Sequence, residues 1–185
     1  MGLRDQKKAK TRKMISDLAT KLFVKKGYDA VTTAEIARLA EVSVPTLFNY
    51  FPTKEALVFD EDLEREEQLV RCVVERKKGT NAFDALWLEF ANHFDPELVK
   101  HYPAFRKMID ETPALAAYER SMWMRHQEAL GKAIRKTAKI KLSEIEANTI
   151  AGFALDAFHS SLKTADPKST LKKLFHLLEN GCKEI

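Results

Sequence analysis

Apolar side chains recur along this chain with the spacing of α-helices. Between residues 7 and 26 the apolar positions fall at i, i+3, i+4, i+7 and i+8, which places on one helical face Ile15, Leu18, Ala19, Leu22 and Phe23. The same period recurs over residues 83–94 and 171–178. No segment alternates apolar and polar residues between turn signals as a strand does. The pattern therefore predicts an all-α fold.

Capping residues, glycines and prolines divide the chain into nine predicted helices. Two stretches have the spacing of a capping box, namely Thr32-x-x-Glu35 and Ser143-x-x-Glu146. Glycines suited to a left-handed C-cap follow the first and ninth helices at Gly27 and Gly181. The fourth helix is expected to run without interruption over about residues 54–78, and Pro103 is expected to kink the sixth.

Residues 31–57 carry the clearest functional pattern: VTTAEIARLAEVSVPTLFNYFPTKEAL. Two short predicted helices are joined here by residues 40–43, and this is the shape of a helix-turn-helix. A recognition helix enters the major groove by its N-terminal end, which requires small or polar leading residues. The chain supplies Ser43, Val44, Pro45 and Thr46, while Leu47 is expected to face the domain core.

Residues 9–58 resemble the tetracycline-repressor (TetR) family of bacterial regulators. The resemblance is carried by motifs at family spacing: Leu22-Phe23, Gly27-Tyr28, Thr32-x-x-x-Ile36-Ala37, Ala40-x-Val42-Ser43, Thr46-Leu47-Phe48-x-Tyr50-Phe51 and Lys54-Glu55-x-Leu57. It implies a nine-helix protein with a helix-turn-helix DNA-binding domain at residues 1–53. Residues 54–185 would form a helical ligand-binding and dimerisation domain.

The resemblance also implies roles for individual residues. The positions expected to meet base edges are Ser43, Val44, Pro45 and Thr46. The positions expected near backbone phosphates are Thr32, Thr33, Phe48, Asn49, Tyr50 and Lys54. Three departures from the family pattern affect which operator is read: Glu41 where glycine is common, Pro45, and Tyr50 where histidine is frequent. A left-handed turn residue with a Cβ, as at Glu41, costs about 1 kcal/mol.

By the same resemblance, the protein represses transcription as a homodimer on a palindromic operator in double-stranded DNA and is released by a small-molecule effector. Two other functions stay open. One is a small-molecule-binding helical protein whose DNA binding is incidental, and the other is an enzyme built on a helical bundle.

Charge is distributed unevenly along the chain. Residues 1–54 hold 11 Lys and Arg against 5 Asp and Glu, whereas the whole protein has a net charge of +4. A basic N-terminal third suits a nucleic-acid partner. Within it, residues 4–13 are either a solvated helix start or a disordered arm that adds DNA contacts.

Several protein classes are excluded by composition. Hydrophobic residues make up 45% and charged residues 31% of the chain, which is a globular balance. No apolar run approaches the ~18 residues that a membrane span requires, and no secretory signal follows the basic N-terminus. Cys72 and Cys182 are too few for a disulfide framework and are expected to be reduced thiols of a cytoplasmic protein.

A set of aromatic, methionine and histidine residues is the candidate ligand pocket. Soft, adaptable side chains with a few polar groups are typical of such cavities, although core packing explains the same pattern. The set comprises Trp87, Phe90, Phe94, Phe105, Met108, Met122, Trp123, His126 and Phe153.

The eighth and ninth helices are the candidate dimer interface. Residues 150–158 are apolar nearly all round, so this helix must be covered on every side. A second subunit would provide the cover through a four-helix bundle, and the alternative is burial within its own chain. The predicted interface residues are Ile150, Ala154, Ala157, Phe158, Leu171, Leu174, Phe175 and Leu178.

Chemistry for catalysis or cofactor binding is not indicated by any motif. The five histidines lack metal-ligand spacing, and the sequence contains no phosphate-binding loop and no nucleophile elbow. His126 is expected to be a core or pocket histidine. Asp156, within an apolar run, is expected to be buried with a structural hydrogen bond. We therefore predict no catalytic residues, no cofactor and no metal.

Overall fold

The structure, a computed structural model, describes residues 2–94 and 96–181. Within these ranges the backbone forms helices and connecting turns without strands. The helices are α1 (Leu3–Lys26), α2 (Thr33–Leu39), α3 (Val44–Tyr50), α4 (Asp62–Val74), α5 (Ala82–Ala91), α6 (Pro96–Glu111), α7 (Pro113–Thr137), α8 (Glu144–Ser161) and α9 (Pro167–Asn180), with a 3₁₀ turn at Glu55–Leu57. The all-α fold predicted from periodicity is confirmed.

The described chain divides into two compact units. Within the described residues, the first compact unit comprises the chain up to residue 62 together with 104–119, and the second comprises 63–103 and the chain from residue 120 onward. Helices α6 and α7 therefore each contribute one part to each unit. This division by packing differs from the predicted functional boundary at residue 53, because the α6–α7 corner packs with the N-terminal helices. The functional boundary stays a prediction.

The core of the first compact unit forms along the predicted stripe of α1. Ile15, Ala19 and Phe23 are buried there with Ile36 of α2 and Leu47 of α3. Burial of one face from each of the three helices fixes their mutual positions, because α2 and α3, with seven residues each, are not stable alone. The predicted inward position of Leu47 is confirmed.

Local capping sets the ends of α2 and α3. Thr32 Oγ1 accepts the backbone N–H of Glu35 at 3.1 Å, and Ser43 Oγ accepts that of Thr46 at 3.1 Å. The predicted capping box at Thr32 is only half formed, because the Glu35 carboxylate binds Lys26 Nζ at 2.6 Å instead. Glu41 adopts φ 54° in the turn between the helices. This left-handed conformation is the one predicted for the position, where glycine is common in the family.

The fourth helix is not continuous, and the prediction of one helix over residues 54–78 is wrong. A 3₁₀ turn at Glu55–Leu57 is separated from α4 by residues 58–61. Side chains of α1 bind carbonyls of this region: Ser16 Oγ donates to the Leu57 carbonyl at 3.1 Å, and Arg12 Nη2 donates to that of Asp60 at 2.9 Å. These tertiary hydrogen bonds satisfy backbone groups outside a helix, so the interruption is stable.

The α6–α7 corner completes the first compact unit. Ile109 and Leu115 are fully buried in its core. Phe105 and Met108 pack against the same core, whereas Trp87 and Phe90 belong to the core of the second compact unit, so the predicted pocket residues are divided between two cores. Sequence periodicity cannot tell which of two cores a helical face joins.

The core of the second compact unit holds most of the predicted dimer residues. Ala154, Ala157, Phe158, Leu171 and Phe175 are buried within the chain, and the remaining three pack against the same cluster: Ile150, Leu174 and Leu178. Phe158 stacks on Phe90 with ring centroids 4.5 Å apart. The five buried residues therefore follow the alternative of burial in their own chain, whereas a place in the dimer interface stays a prediction for the three partly buried ones.

Helices α7 and α8 approach closely where each carries a glycine. A Cβ on Gly131 would lie 2.0 Å from Asn148 Oδ1 and 3.1 Å from its Cα, and a Cβ on Gly152 would lie 3.0 Å from Gln127 Nε2. Gln127 Nε2 donates to the Asn148 carbonyl at 2.9 Å. Another face of α8 is left uncovered by its own chain.

The uncovered side of α8 carries apolar groups and a carboxylate. Ile145 is 79% and Phe153 53% exposed, and Asp156 is exposed rather than buried. The prediction of a buried Asp156 is therefore wrong, and Phe153 lies outside the core that holds Trp87 and Phe90. Both residues are exposed on α8, whereas Ala154, Ala157 and Phe158 of the same helix are buried in the core.

Among the helices of residues 2–94 and 96–181, none has the length and apolar character needed to cross a membrane.

Candidate nucleic-acid interface

The recognition helix candidate, α3, presents its leading residues outward. Ser43, Val44 and Pro45 are exposed and Thr46 is half-buried, whereas Leu47 and Phe51 are buried on the opposite face. Since Ser43 Oγ lies 2.7 Å from Thr46 Oγ1, the two hydroxyls form one polar group at the N-terminal end of α3. The structure brings the four residues predicted to meet bases to one exposed turn.

The residues predicted near phosphates lie around that turn. Phe48 and Asn49 are exposed on α3, Tyr50 is half-buried at its end, and Thr32 and Thr33 open α2. Helices α2 and α3 pack against each other, so these side chains belong to one surface. Whether each contacts DNA stays a prediction.

Lys54 differs from the other predicted phosphate contacts because it is held inside the first compact unit. Its Nζ donates to the Tyr28 carbonyl at 2.7 Å and lies 4.1 Å from the centroid of the Tyr28 ring. Burial lowers the pKa of Lys54, although Asp29 and Glu55 act in the opposite direction. The lysine therefore has a packing role in addition to its predicted role at a phosphate.

Tyr28 forms a hydrogen bond with each of the neighbouring residues Lys54 and Glu55. The Tyr28 hydroxyl donates to Glu55 Oε1 at 2.9 Å, so one tyrosine binds both neighbours. Burial alone would raise the pKa of Glu55, but hydrogen bonds from its own backbone, Tyr28 and Thr53 together lower it. The Tyr28–Lys54–Glu55 cluster joins the end of α1 to the 3₁₀ turn.

Arg12 is a residue of this site that sequence reasoning placed only in a basic arm. Its guanidinium donates to the carbonyls of Tyr50 and Asp60 and lies 4.3 Å from the centroid of the Phe51 ring. Residues 4–13 are part of α1, which favours the helix-start alternative; the side chains of residues 4 and 5 lie outside the described set. Lys7, Lys8 and Lys10 are exposed on α1. No sequence signal separates Arg12 from these lysines.

The predicted ligand-pocket residues that remain together lie in the second compact unit. Trp87, Phe94 and Trp123 pack against its core, and His126 is 1% exposed with its ring 5.4 Å from that of Trp123. Two surface grooves, of about 690 and 370 Å³, contain none of the predicted pocket residues. Trp87 Nε1 and Trp123 Nε1 are buried without a hydrogen-bond partner among the described residues.

Chemistry other than binding is not evident in the described parts of the chain. No group of three or more His, Cys, Asp or Glu side chains within them could hold a metal ion. Burial, the larger cause, and the nearby Glu89 raise the pKa of Cys72 to about 12, so this free thiol is not activated. Cys182 lies outside the described residues.

Comparison with known proteins agrees with the arrangement of α1 to α3. Residues 15–60 match the sequence model of the bacterial regulatory proteins of the TetR family. MftR of Mycobacterium tuberculosis, which is named as a mycofactocin biosynthesis transcriptional regulator, is 28% identical to this chain over 165 residues. The matched region covers 85% of this chain and 83% of MftR. The HTH-type transcriptional regulator YvkB of Bacillus subtilis is 54% identical over 48 residues, covering 26% and 25% of the two chains.

Solved structures show the same fold along almost the whole chain. NalD of Pseudomonas aeruginosa, the secondary repressor of the MexAB-OprM multidrug efflux pump, superposes with a TM-score of 0.56 at 22% identity, covering 95% of this chain and 97% of NalD. The helix-turn-helix geometry, the matched family pattern and the shared fold lead to one assignment. Residues 15–60 carry the pattern of the TetR family of bacterial regulatory proteins, and the chain is a DNA-binding transcriptional regulator.

Proposed function

We propose that the protein is a repressor that reads a palindromic operator through the first turn of α3. The observation that carries this proposal is the exposed Ser43–Thr46 turn held above buried Leu47 and Phe51. Small side chains at this end allow the helix to enter the major groove, and the capped N-terminus favours nearby phosphates. Exposed lysines on α1 add non-specific attraction to DNA. A repressor role is supported by the shared fold of NalD, itself a repressor.

Replacement of Thr46 by Ala tests the base-reading role. The variant loses a hydroxyl and a methyl group at the proposed base edge, so it should relax the preference at one operator position and cost about 1–3 kcal/mol on the wild-type site. Asn49→Ala, on the same helix but at a proposed phosphate position, should weaken all sequences alike. Binding of both variants to a panel of single-base operator variants measures the difference. If Thr46→Ala kept the wild-type order of preference, Thr46 would not read a base.

The dimer interface is proposed on the uncovered face of α8 together with α9. Exposed Ile145 and Phe153 offer apolar area on α8, and exposed Leu177 does so on α9. The exposed charges are complementary. Helix α8 carries Glu144, Glu146 and Asp156, whereas α9 carries Lys168, Lys172 and Lys173. In a two-fold dimer, α8 of each copy would contact α9 of the other copy. The acidic residues of α8 would then lie against the lysines of α9 at two symmetry-related places.

The effector site is proposed in the second compact unit around Trp87, Trp123 and His126. A buried indole N–H without an acceptor costs free energy, and a ligand oxygen can relieve that cost. The site thus favours an apolar effector that carries hydrogen-bond acceptors. Phe105 and Met108 pack against the core of the first compact unit and lie outside this proposed site.

The switch is proposed to act through α6, which contributes residues to both compact units. In the first compact unit, Phe59 stacks on Tyr118 at 5.2 Å and meets Phe105 edge-on at 6.3 Å. Phe59 lies in the interruption next to Asp60, whose carbonyl binds Arg12. A displacement of α6 by effector would alter this packing. The effector must bind the released state more tightly, typically by about 1–3 kcal/mol.

We propose no catalytic role, because MftR and YvkB are named as transcriptional regulators and NalD as a repressor. A regulator of this bacterial family acts where the chromosome is, and we therefore place it in the cytoplasm. A small-molecule-binding protein with incidental DNA binding would differ in one respect: its effector would bind equally well with and without operator.

A further inference from the structure

The guanidinium of Arg12 joins α1 to two other segments of the first compact unit, namely the end of α3 and the turn before α4. Arg12 Nη1 donates to the carbonyl of Tyr50, the last residue of α3, and Nη2 donates to that of Asp60 at 2.9 Å. The same group lies 4.3 Å from the centroid of the Phe51 ring, and Phe51 is 1% exposed. Tyr50 and Asp60 are 38 and 48 residues away along the chain.

These contacts hold the C-terminal end of the recognition helix. The last carbonyls of a helix have no partner within it, and Arg12 supplies one to Tyr50. With only seven residues, α3 gains little rigidity from its own hydrogen bonds, so its direction depends on contacts to neighbours. Leu47 anchors the buried face of α3, and Arg12 fixes the end of the helix against α1.

We propose that Arg12 is a positioning residue that sets the direction of α3 in the DNA groove, and that it is not a phosphate contact. This inference rests on the proposed function, since it presupposes that α3 reads bases. The planar fork of arginine can meet two carbonyls while one face lies on an aromatic ring, and a lysine cannot reproduce this geometry. The position therefore requires arginine and not merely positive charge.

The rival role, a phosphate contact from a basic helix, makes opposite predictions. A phosphate contact needs the charge, which lysine keeps, and each such contact contributes about one to the slope of log affinity against log salt concentration. A positioning role needs the planar guanidinium with its two donor groups, and it contributes nothing to that slope. The salt slope therefore separates the two roles without reference to stability.

The experiment compares Arg12→Lys and Arg12→Gln with Lys8→Gln, a matched control at an exposed lysine of the same helix. The probes are a duplex enriched from a random library by the wild-type protein and a scrambled duplex of equal composition. Arg12→Lys and Arg12→Gln should both bind the enriched duplex at least about tenfold more weakly. Arg12→Lys should bind the scrambled duplex like wild type, and both should keep the wild-type salt slope. Lys8→Gln should keep the enriched-to-scrambled affinity ratio.

Three results would overturn the inference. Arg12→Lys could bind the enriched duplex like wild type, or Arg12→Gln could lower the salt slope by about one; either would make Arg12 a charge contact. Loss of the helical circular dichroism signal in Arg12→Lys would make Arg12 a folding residue rather than one that directs a single helix. If the wild-type protein enriched no duplex, the proposed function itself would fail, and this outcome is distinct from the other three.

Discussion

Replacing Arg106 with Met is expected to lower the free energy of unfolding by about 2–3 kcal/mol. Arg106 Nη1 donates to both carboxylate oxygens of Glu119, at 2.7 and 2.8 Å, and only 14% and 15% of the two side chains are exposed. Removing the arginine leaves a largely buried carboxylate without its partner between α6 and α7. Urea unfolding followed by circular dichroism measures the loss.

The adjacent residue provides a matched control for this prediction. Lys107 pairs with Glu111 at 3.7 Å, but their side chains are 73% and 67% exposed. Water screens this pair, so Lys107→Met should change the free energy of unfolding by less than about 0.5 kcal/mol. Equal losses for the two variants would contradict a structural role of the Arg106–Glu119 pair.

Replacing Phe153 with Glu is expected to raise the dimer dissociation constant at least about a hundredfold, since an unpaired charge would be buried in the proposed interface at a cost of several kcal/mol. Two-fold symmetry introduces the substitution twice. The isolated subunit should stay folded, because Phe153 is already 53% exposed in it. Sedimentation velocity over a range of protein concentrations measures the dissociation constant.

Met124→Glu is the control for the Phe153 substitution. Met124 is 70% exposed on α7, outside the proposed face of α8 and α9, and its replacement should leave the dimer intact. An unchanged dimer in Phe153→Glu, or an equal weakening in both variants, would place the interface elsewhere.

The helix-turn-helix could be predicted from sequence because local signals and core packing agree there. Ser43 caps α3, Leu47 lies on its buried face, and Gly27 ends α1 with φ 86°. Each of these features depends on residues within one or two helical turns. Patterns of this range are visible in a single sequence.

Long-range contacts account for what sequence reasoning missed. The interruption before α4 is stabilised by Arg12 and Ser16, more than 40 residues away from the carbonyls they bind there. The small apolar residues of α8 would have the same pattern whether they faced a second subunit or their own chain. The structure shows that Ala154 and Ala157 face their own chain and that Phe153 does not.

Selection of duplexes from a random-sequence library by the wild-type protein tests the central claim most directly, namely that two copies of α3 read a palindromic operator. The account predicts enrichment of an inverted repeat whose half-site centres lie about 34–36 Å apart, or a multiple of that spacing, so that each α3 enters a major groove on the same side of the duplex. Failure to enrich any sequence, or enrichment of a single site without two-fold symmetry, would contradict it.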